Sequence, residues 1–293
     1  MPEIVVLSGK GGTGKTSLTA ALAHLAERPV ICDLDVDAPD LHLLLQPSPE
    51  RGQEFWSGHQ ATIDPQLCQS CGECQQRCRF EAIALEDGAY RVDPLRCEGC
   101  KVCVHFCPAG AIAFPERHCG GWWVSSTRFG PMVHAQLFPG QENSGRLVAL
   151  LRQEAKALAQ ELGRDLIICD GAPGIGCPVI SSLSGVDLAV GVCEPTPSGL
   201  HDLQRLAELT THFRVPLAVI VNKYDLSAER TREIEEFCDR SGLSLVARLP
   251  FSPAVVQAML VGQAITEYQD NGVAQGLRQA WDEIIRLAAK APA

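Results

Sequence analysis

Eight cysteines fall between Cys68 and Cys107 in two runs of identical spacing. Cys68-x₂-Cys71-x₂-Cys74-x₃-Cys78 is followed by Cys97-x₂-Cys100-x₂-Cys103-x₃-Cys107, each cysteine 29 residues after its counterpart. The flanks repeat too: ATIDPQLC at 61–68 lines up with YRVDPLRC at 90–97, and EAIA at 81–84 with GAIA at 110–113. A segment of roughly 60 residues so dense in thiols builds little apolar core, and depends for its fold on what the thiols hold. It reads as a separate unit over 57–116, inserted into a chain of different texture.

Outside that window, short apolar runs alternate with helical spacing. Strands are expected over Glu3–Ser8, Pro29–Asp33, Asp165–Asp170, Asp187–Cys193, Leu217–Asn222 and Leu243–Leu249. Helices are expected over Lys15–Ala26, Ser144–Leu162, Ser198–Phe213, Ala228–Ser241 and 271–289. This alternation implies an α/β fold, a doubly wound and mostly parallel sheet covered by helices on both faces. The α/β domain is therefore discontinuous, 1–56 and 117–293, with an α+β insert. The Gly- and Trp-containing stretch 117–143 reads as a hairpin returning the chain to the sheet.

Gly9-Lys10-Gly11-Gly12-Thr13-Gly14-Lys15-Thr16 follows a strand and opens a helix, the context a phosphate-binding loop requires. Its glycines let the backbone of Gly11, Gly12, Thr13, Gly14, Lys15, Thr16 and Ser17 close on phosphate oxygens, beside a helix N-terminus that favours anions. Lys15 would reach the β- and γ-phosphates, and the Thr16 hydroxyl would bind Mg²⁺.

A second lysine, Lys10, makes this loop resemble the deviant phosphate loop of the MinD/ParA/Mrp ATPases and the nitrogenase iron protein. Several further stretches resemble that group in order. Val30–Asp35 is similar to its first switch, which implies Asp33 near Mg²⁺ and Asp35 orienting the attacking water. Leu166–Gly174 is similar to its Walker B strand and second switch, which implies Asp170 holding Mg²⁺ through water and Gly174 sensing the γ-phosphate. The resemblance implies that Lys10 reaches across an ATP-dependent homodimer. It also implies that Asn222 reads the adenine amino group and that Pro250 and Phe251 line the base. Asn222-Lys223-Tyr224-Asp225 also fits a GTPase motif in which Asp225 reads guanine; the deviant loop and the paired switch aspartates favour ATP.

The two cysteine runs resemble those of bacterial two-cluster ferredoxins. The resemblance implies two [4Fe–4S] clusters with crossed ligands: Cys68, Cys71, Cys74 and Cys107 for one, Cys97, Cys100, Cys103 and Cys78 for the other. The first run departs from the pattern with Arg79 where the second has Pro108. Structural zinc in a Cys₄ site is the alternative, although it leaves the x₃ cysteine of both runs unexplained. Cys32, Cys169 and Cys193 lie in expected buried strands. Cys177 lies seven residues after Asp170, at the offset of a cluster ligand in the nitrogenase iron protein. With Cys119 it stands either for a third, dimer-bridging metal site or for a packed thiol. His118 reads as a surface residue.

Taken whole, the chain resembles MinD-superfamily ATPases with an inserted ferredoxin domain, to which Glu194–Asp202 and 142–148 also contribute. This implies a Mg²⁺-dependent ATPase, slow alone and stimulated by a partner, that gates electron transfer or assembles an iron–sulfur or metal cofactor. The expected partners are a second copy and an unidentified redox or metal-cofactor protein. The alternative is a MinD/ParA-like positioning ATPase with the clusters as sensor or structural element. Amidation of a corrinoid lacks any sign of a glutaminase domain.

The formal charge of −10 argues against nucleic acid and against anionic lipid as partners. No apolar run reaches the length of a membrane span. The N-terminus has no basic segment before an apolar stretch, so the cytoplasm is the expected compartment. There, 14 cysteines point to metal or redox chemistry rather than disulfides. The tail 275–290 has its apolar positions spaced for packing on the sheet rather than for a basic membrane hook.

Overall fold

The computed structural model describes residues 1–140, 144–270 and 272–290. Residues 142 and 143 of the 142–148 motif, the end of the expected hairpin, and residue 271 of the last helix lie outside the described residues. In chain order the strands are β1 (Glu3–Ser8), β2 (Val30–Asp33), β3 (Ser48–His59), β4 (Thr62–Ile63), β5 (Ile83–Glu86), β6 (Ala89–Val92), β7 (Ile112–Ala113), β8 (Glu116–Thr127), β9 (Gly130–Leu137), β10 (Ile167–Pro173), β11 (Leu188–Cys193), β12 (Leu217–Asn222) and β13 (Ser244–Leu249). A nine-stranded sheet has the order β13-β12-β11-β1-β10-β2-β9-β8-β3. From β13 to β9 neighbouring strands pair in parallel. The α/β fold with a large, mostly parallel sheet is thus as expected.

The chain divides into two units, 1–53 with 122–136 and 144–293, and 54–121 with 137–143. In the first unit β1, β11 and β12 are buried along their whole length. Helix Lys15–Leu25 and the last helix, Gly272–Ala288, share one core with them through Leu18, Leu22, Leu277 and Ile284. The apolar face of the last helix is therefore core packing. Helix Ser144–Glu161 is clipped to β1 by Arg152, whose guanidinium meets the buried Glu3 carboxylate at 2.5 and 2.7 Å. The same guanidinium donates to the Ser181 and Ser184 carbonyls. Among the described residues no helix is long and apolar enough to cross a membrane.

β8 and β9 form the hairpin expected over 117–143, turning through Arg128 and Phe129. His134 on β9 bonds Ser125 Oγ at 2.8 Å and stacks on Trp123. Burial, with His42 adding to it, lowers its pKa from 6.5 to about 4. The unfolded chain takes up this proton first as pH falls, so stability declines from about pH 6.5 and levels off below about 4. His134→Gln keeps a donor toward Ser125 and should flatten the pH dependence of the denaturation midpoint over that window. An unchanged slope would show that His134 does not carry it.

The second unit holds two strand pairs, β4 with β7 and β5 with β6, both antiparallel. Its buried core is Ala61, Cys74, Ile83 and Ile112, against which further cysteines of the two runs pack.

Candidate functional site

The register of the parallel sheet builds the first site. Asp170 of β10 is opposite Asp33, the last residue of β2, in register, toward the carboxyl edge where ligands of doubly wound sheets bind. The loop after β1 begins the first helix beside them. Gly12 and Gly14 have φ of +80° and +92°, a region that strains other L-residues. A Cβ on Gly9 would sit 2.1 Å from that of Asp202, so the loop's start has no room for a side chain.

Lys15, almost fully buried, donates to Asp170 Oδ1 at 2.9 Å and lies 3.6 Å from Asp35. Burial alone would lower its pKa; Asp170, Asp35 and Asp33 outweigh it and hold it above the usual value. Burial pushes Asp33 well up, with the neighbouring Asp170 adding to it. Asp35 rises to about 6 by burial, opposed by Lys15. Thr19 Oγ1 also donates to Asp170, at 2.8 Å.

Asp33 Oδ2, Asp170 Oδ2 and Thr13 Oγ1 are buried without a hydrogen-bond partner. Orphaned acceptors of this kind need an explanation. Two buried carboxylate oxygens beside the Thr16 hydroxyl are an all-oxygen donor set that suits a hard divalent cation. The residues present therefore fit Mg²⁺ with a phosphate-bearing ligand.

A cavity of about 430 Å³ opens from Gly11–Ser17 and Asp35 to Asn222, Pro250 and Phe251. It thus gathers the residues expected around phosphates and base. Its far wall is Val255, Val256 and Met259, from helix Pro253–Leu260. These three were not anticipated; half-exposed apolar residues one and four apart, just after Pro250-Phe251, were the available signal. Asn222 Nδ2 donates to the Thr13 carbonyl at 2.8 Å and its Oδ1 accepts from Lys223 N, so the side chain also ties down the loop. Asp225 accepts from the Phe251 N–H at 2.6 Å and is not among the cavity's lining residues.

Lys10 lies in a cradle of its own chain. Its ammonium donates to Thr196 Oγ1 at 3.1 Å and Ser198 Oγ at 3.2 Å, and lies 3.7 Å from Glu194. Glu194 also pairs with Lys223, which donates to the Gly12 carbonyl. Gly174, at φ +90°, donates its N–H to the Ser8 carbonyl.

In the second unit the eight cysteines surround two cavities. Cys78, Cys97, Cys100 and Cys103 line one. Cys68, Cys71, Cys74 and Cys107 line the other. Cys78 and Cys107 accept backbone N–H groups from Ala82 and Ala111 at equivalent positions of the repeat. Among the described residues no three His, Cys, Asp or Glu side chains group as ligands of a single metal ion.

Cys32, Cys119, Cys169, Cys193 and Cys238 are buried and Cys177 is exposed. The Cys119 thiol donates to the Ser57 carbonyl at 3.1 Å.

The family model described as the CobQ/CobB/MinD/ParA nucleotide binding domain matches residues 4–265. An uncharacterized protein of Methanocaldococcus jannaschii is 35% identical over 224 residues, 75% of this chain and 78% of its own length. The septum site-determining protein MinD of Pyrococcus horikoshii, complexed with Mg-ADP, superposes with a TM-score of 0.61 at 18% identity, covering 99% of this chain and 98% of that one. For the cell division ATPase MinD of Pyrococcus furiosus the TM-score is 0.59 at 19% identity, covering 98% and 99%. These structural likenesses show the fold.

Proposed function

The chain belongs to the CobQ/CobB/MinD/ParA nucleotide-binding family, and from that premise we propose that it is a Mg²⁺-dependent ATPase carrying two [4Fe–4S] clusters. ATP binding gates electron transfer, or delivery to a metal cofactor, through an ATP-dependent homodimer and a redox or metal-cofactor partner. One observation carries the iron–sulfur part of the reading: the two cysteine runs line two cavities in crossed sets of four.

In this reading Lys15 binds the β- and γ-phosphates, while Asp33, Asp170 and Thr16 hold Mg²⁺ directly or through water. Asp35 holds and orients the attacking water; its raised pKa suits a group that exchanges a proton near neutrality. The clusters, when bound, supply one-electron redox chemistry. Adenine is favoured over guanine because Asp225 is engaged with the Phe251 backbone and does not line the base end of the cavity. Lys10 leaves its cradle to offset the repulsion of two facing triphosphates in the dimer.

Anaerobic reconstitution tests this directly. The chain should bind about eight irons and eight sulfides, the content of two complete ligand sets. Cys78→Ser should damage the cluster of Cys97, Cys100 and Cys103 and spare the other. Loss of the Cys68 cluster's paramagnetic signal in that variant, with the other intact, would refute the crossed assignment.

The likeness to MinD favours a second reading, a positioning ATPase of the cell-division type. The buried face of the last helix leaves that reading without a basic amphipathic hook on this element.

A further inference from the structure

The two cysteine-lined cavities differ in the charge around them. Three cations gather at the one lined by Cys78, Cys97, Cys100 and Cys103. Lys101 is part of its wall, and its ammonium lies 5.7 Å from the ring of Phe114, another wall residue. Arg79 follows Cys78 directly, and its guanidinium lies 6.0 Å from the ring of Phe80, also in the wall. Arg117 donates to the Cys97 carbonyl at 2.9 Å. Against these stands Glu98 in the same wall.

At the cavity lined by Cys68, Cys71, Cys74 and Cys107 the balance is different. Glu73 is its charged wall residue among the described residues, and no cation lines it. Arg77 pairs with Glu73 at 2.9 Å from outside that wall, which at most cancels the charge. Cys74 is also buried, whereas Cys71 and Cys100 are both exposed.

A four-iron cluster gains one negative charge when it takes up one electron, and its potential follows local charge and solvent exposure. Cations near the thiolates stabilise that added charge; a carboxylate or burial opposes it. Resting on the two-cluster reading above, we infer that the site of Cys78, Cys97, Cys100 and Cys103 has the higher reduction potential. It takes the electron first, and Arg79, Lys101 and Arg117 set the difference. With both clusters bound, an electron supplied by dithionite to the Cys68 site would pass to the Cys78 site, the first being oxidised by one electron and the second reduced by one, with no bond made or broken. This also gives a role to Arg79, the departure of the first run from the second. Because Cys78 crosses over, Arg79 lies beside the site of the other run.

The test is potentiometry of the full-length, anaerobically reconstituted chain, poised with dithionite and followed by electron paramagnetic resonance. Two one-electron waves are expected. Arg79→Glu with Lys101→Glu should move only the higher wave, to lower potential. Glu73→Gln should move only the lower wave, upward. Arg79→Gln with Lys101→Gln gives a milder shift in the same direction if the reversal impairs loading, and iron and sulfide content is measured for every variant. A wild-type chain holding one cluster or none overturns the two-cluster reading together with the inference. A doubly loaded chain in which the reversal moves the lower wave, both waves equally or neither overturns the inference alone.

Discussion

Lys15→Ala is expected to weaken nucleotide binding by about 30-fold or more, since removing one partner of a buried charge pair costs on the order of 2–5 kcal/mol. Lys15 is the cation enclosed by the loop, 2.9 Å from Asp170 and almost fully buried. Its loss removes the charge that faces the phosphates. It also leaves Asp33, Asp35 and Asp170 clustered with no cation between them, so a phosphate would enter beside uncompensated carboxylates. Lys10→Ala is the control. Its side chain is one-third exposed and held by Thr196 and Ser198 on the loop's outer side. That variant should bind ATP as a monomer and fail to form the nucleotide-dependent dimer. Calorimetry reads the first effect and light scattering the second. Equal loss of affinity in both variants would remove the division of labour between the two lysines.

Removing iron is expected to unfold the unit 54–121 and leave the larger unit folded. The reason is the size of its core: one cluster of four buried residues, one of them Cys74, against which the other run cysteines pack, with Phe55, Ala82, Ala111 and Cys119 as further buried apolar side chains. Its two strand pairs are short, and helices Glu73–Arg77 and Val102–His105 span five and four residues. Elements of that size do not stand alone, and metal binding then becomes folding energy, on the order of 10 kcal/mol in small metal-dependent domains. Hydrogen exchange with mass spectrometry separates the units. Peptides from β5, β6 and both runs should lose protection after anaerobic chelation, while those from β1, β10 and β11 keep theirs. Retained protection in the iron-free unit would show that the cysteines are not its structural staple.

What the sequence makes legible follows the range of the interactions involved. The phosphate loop is local, because its glycines, its lysine and its place between strand and helix all lie within a few residues. The parallel strands are legible because burial on both faces leaves continuous apolar runs, such as IVVL in β1 and LAVIV in β12. β3 is not, because SPERGQEFWSGH is a mostly exposed edge strand with charges and a proline, the composition that protects an edge from further pairing. The apolar wall of the nucleotide cavity was also missed. Val255, Val256 and Met259 become neighbours of Gly11–Ser17 only through tertiary packing.

The same limit applies to side-chain partners. That Asp33 and Asp170 each follow a strand is visible in the sequence; that they are opposite one another in register is a property of the sheet. The bond from Thr19 to Asp170 and the cradle of Lys10 span more than 150 residues of chain. No periodicity reports such contacts. The cysteine runs stand between these cases. Their spacing is local, and the sorting of Cys78 and Cys107 into opposite sets comes from the fold of the repeat.

In the proposed function nucleotide state and cluster state are coupled, and coupling between two sites is reciprocal. Asp35 lies on the stretch that leads from β2 toward the cysteine-bearing unit, 33 residues of chain before Cys68. Anaerobic potentiometry of the reconstituted protein with ADP, and again with a non-hydrolysable ATP analogue, measures this coupling. A coupling of about 1 kcal/mol appears as a shift of tens of millivolts for a one-electron couple. The account predicts such a shift in at least one of the two waves; identical potentials and identical electron-transfer rates to an acceptor in both nucleotide states would contradict it.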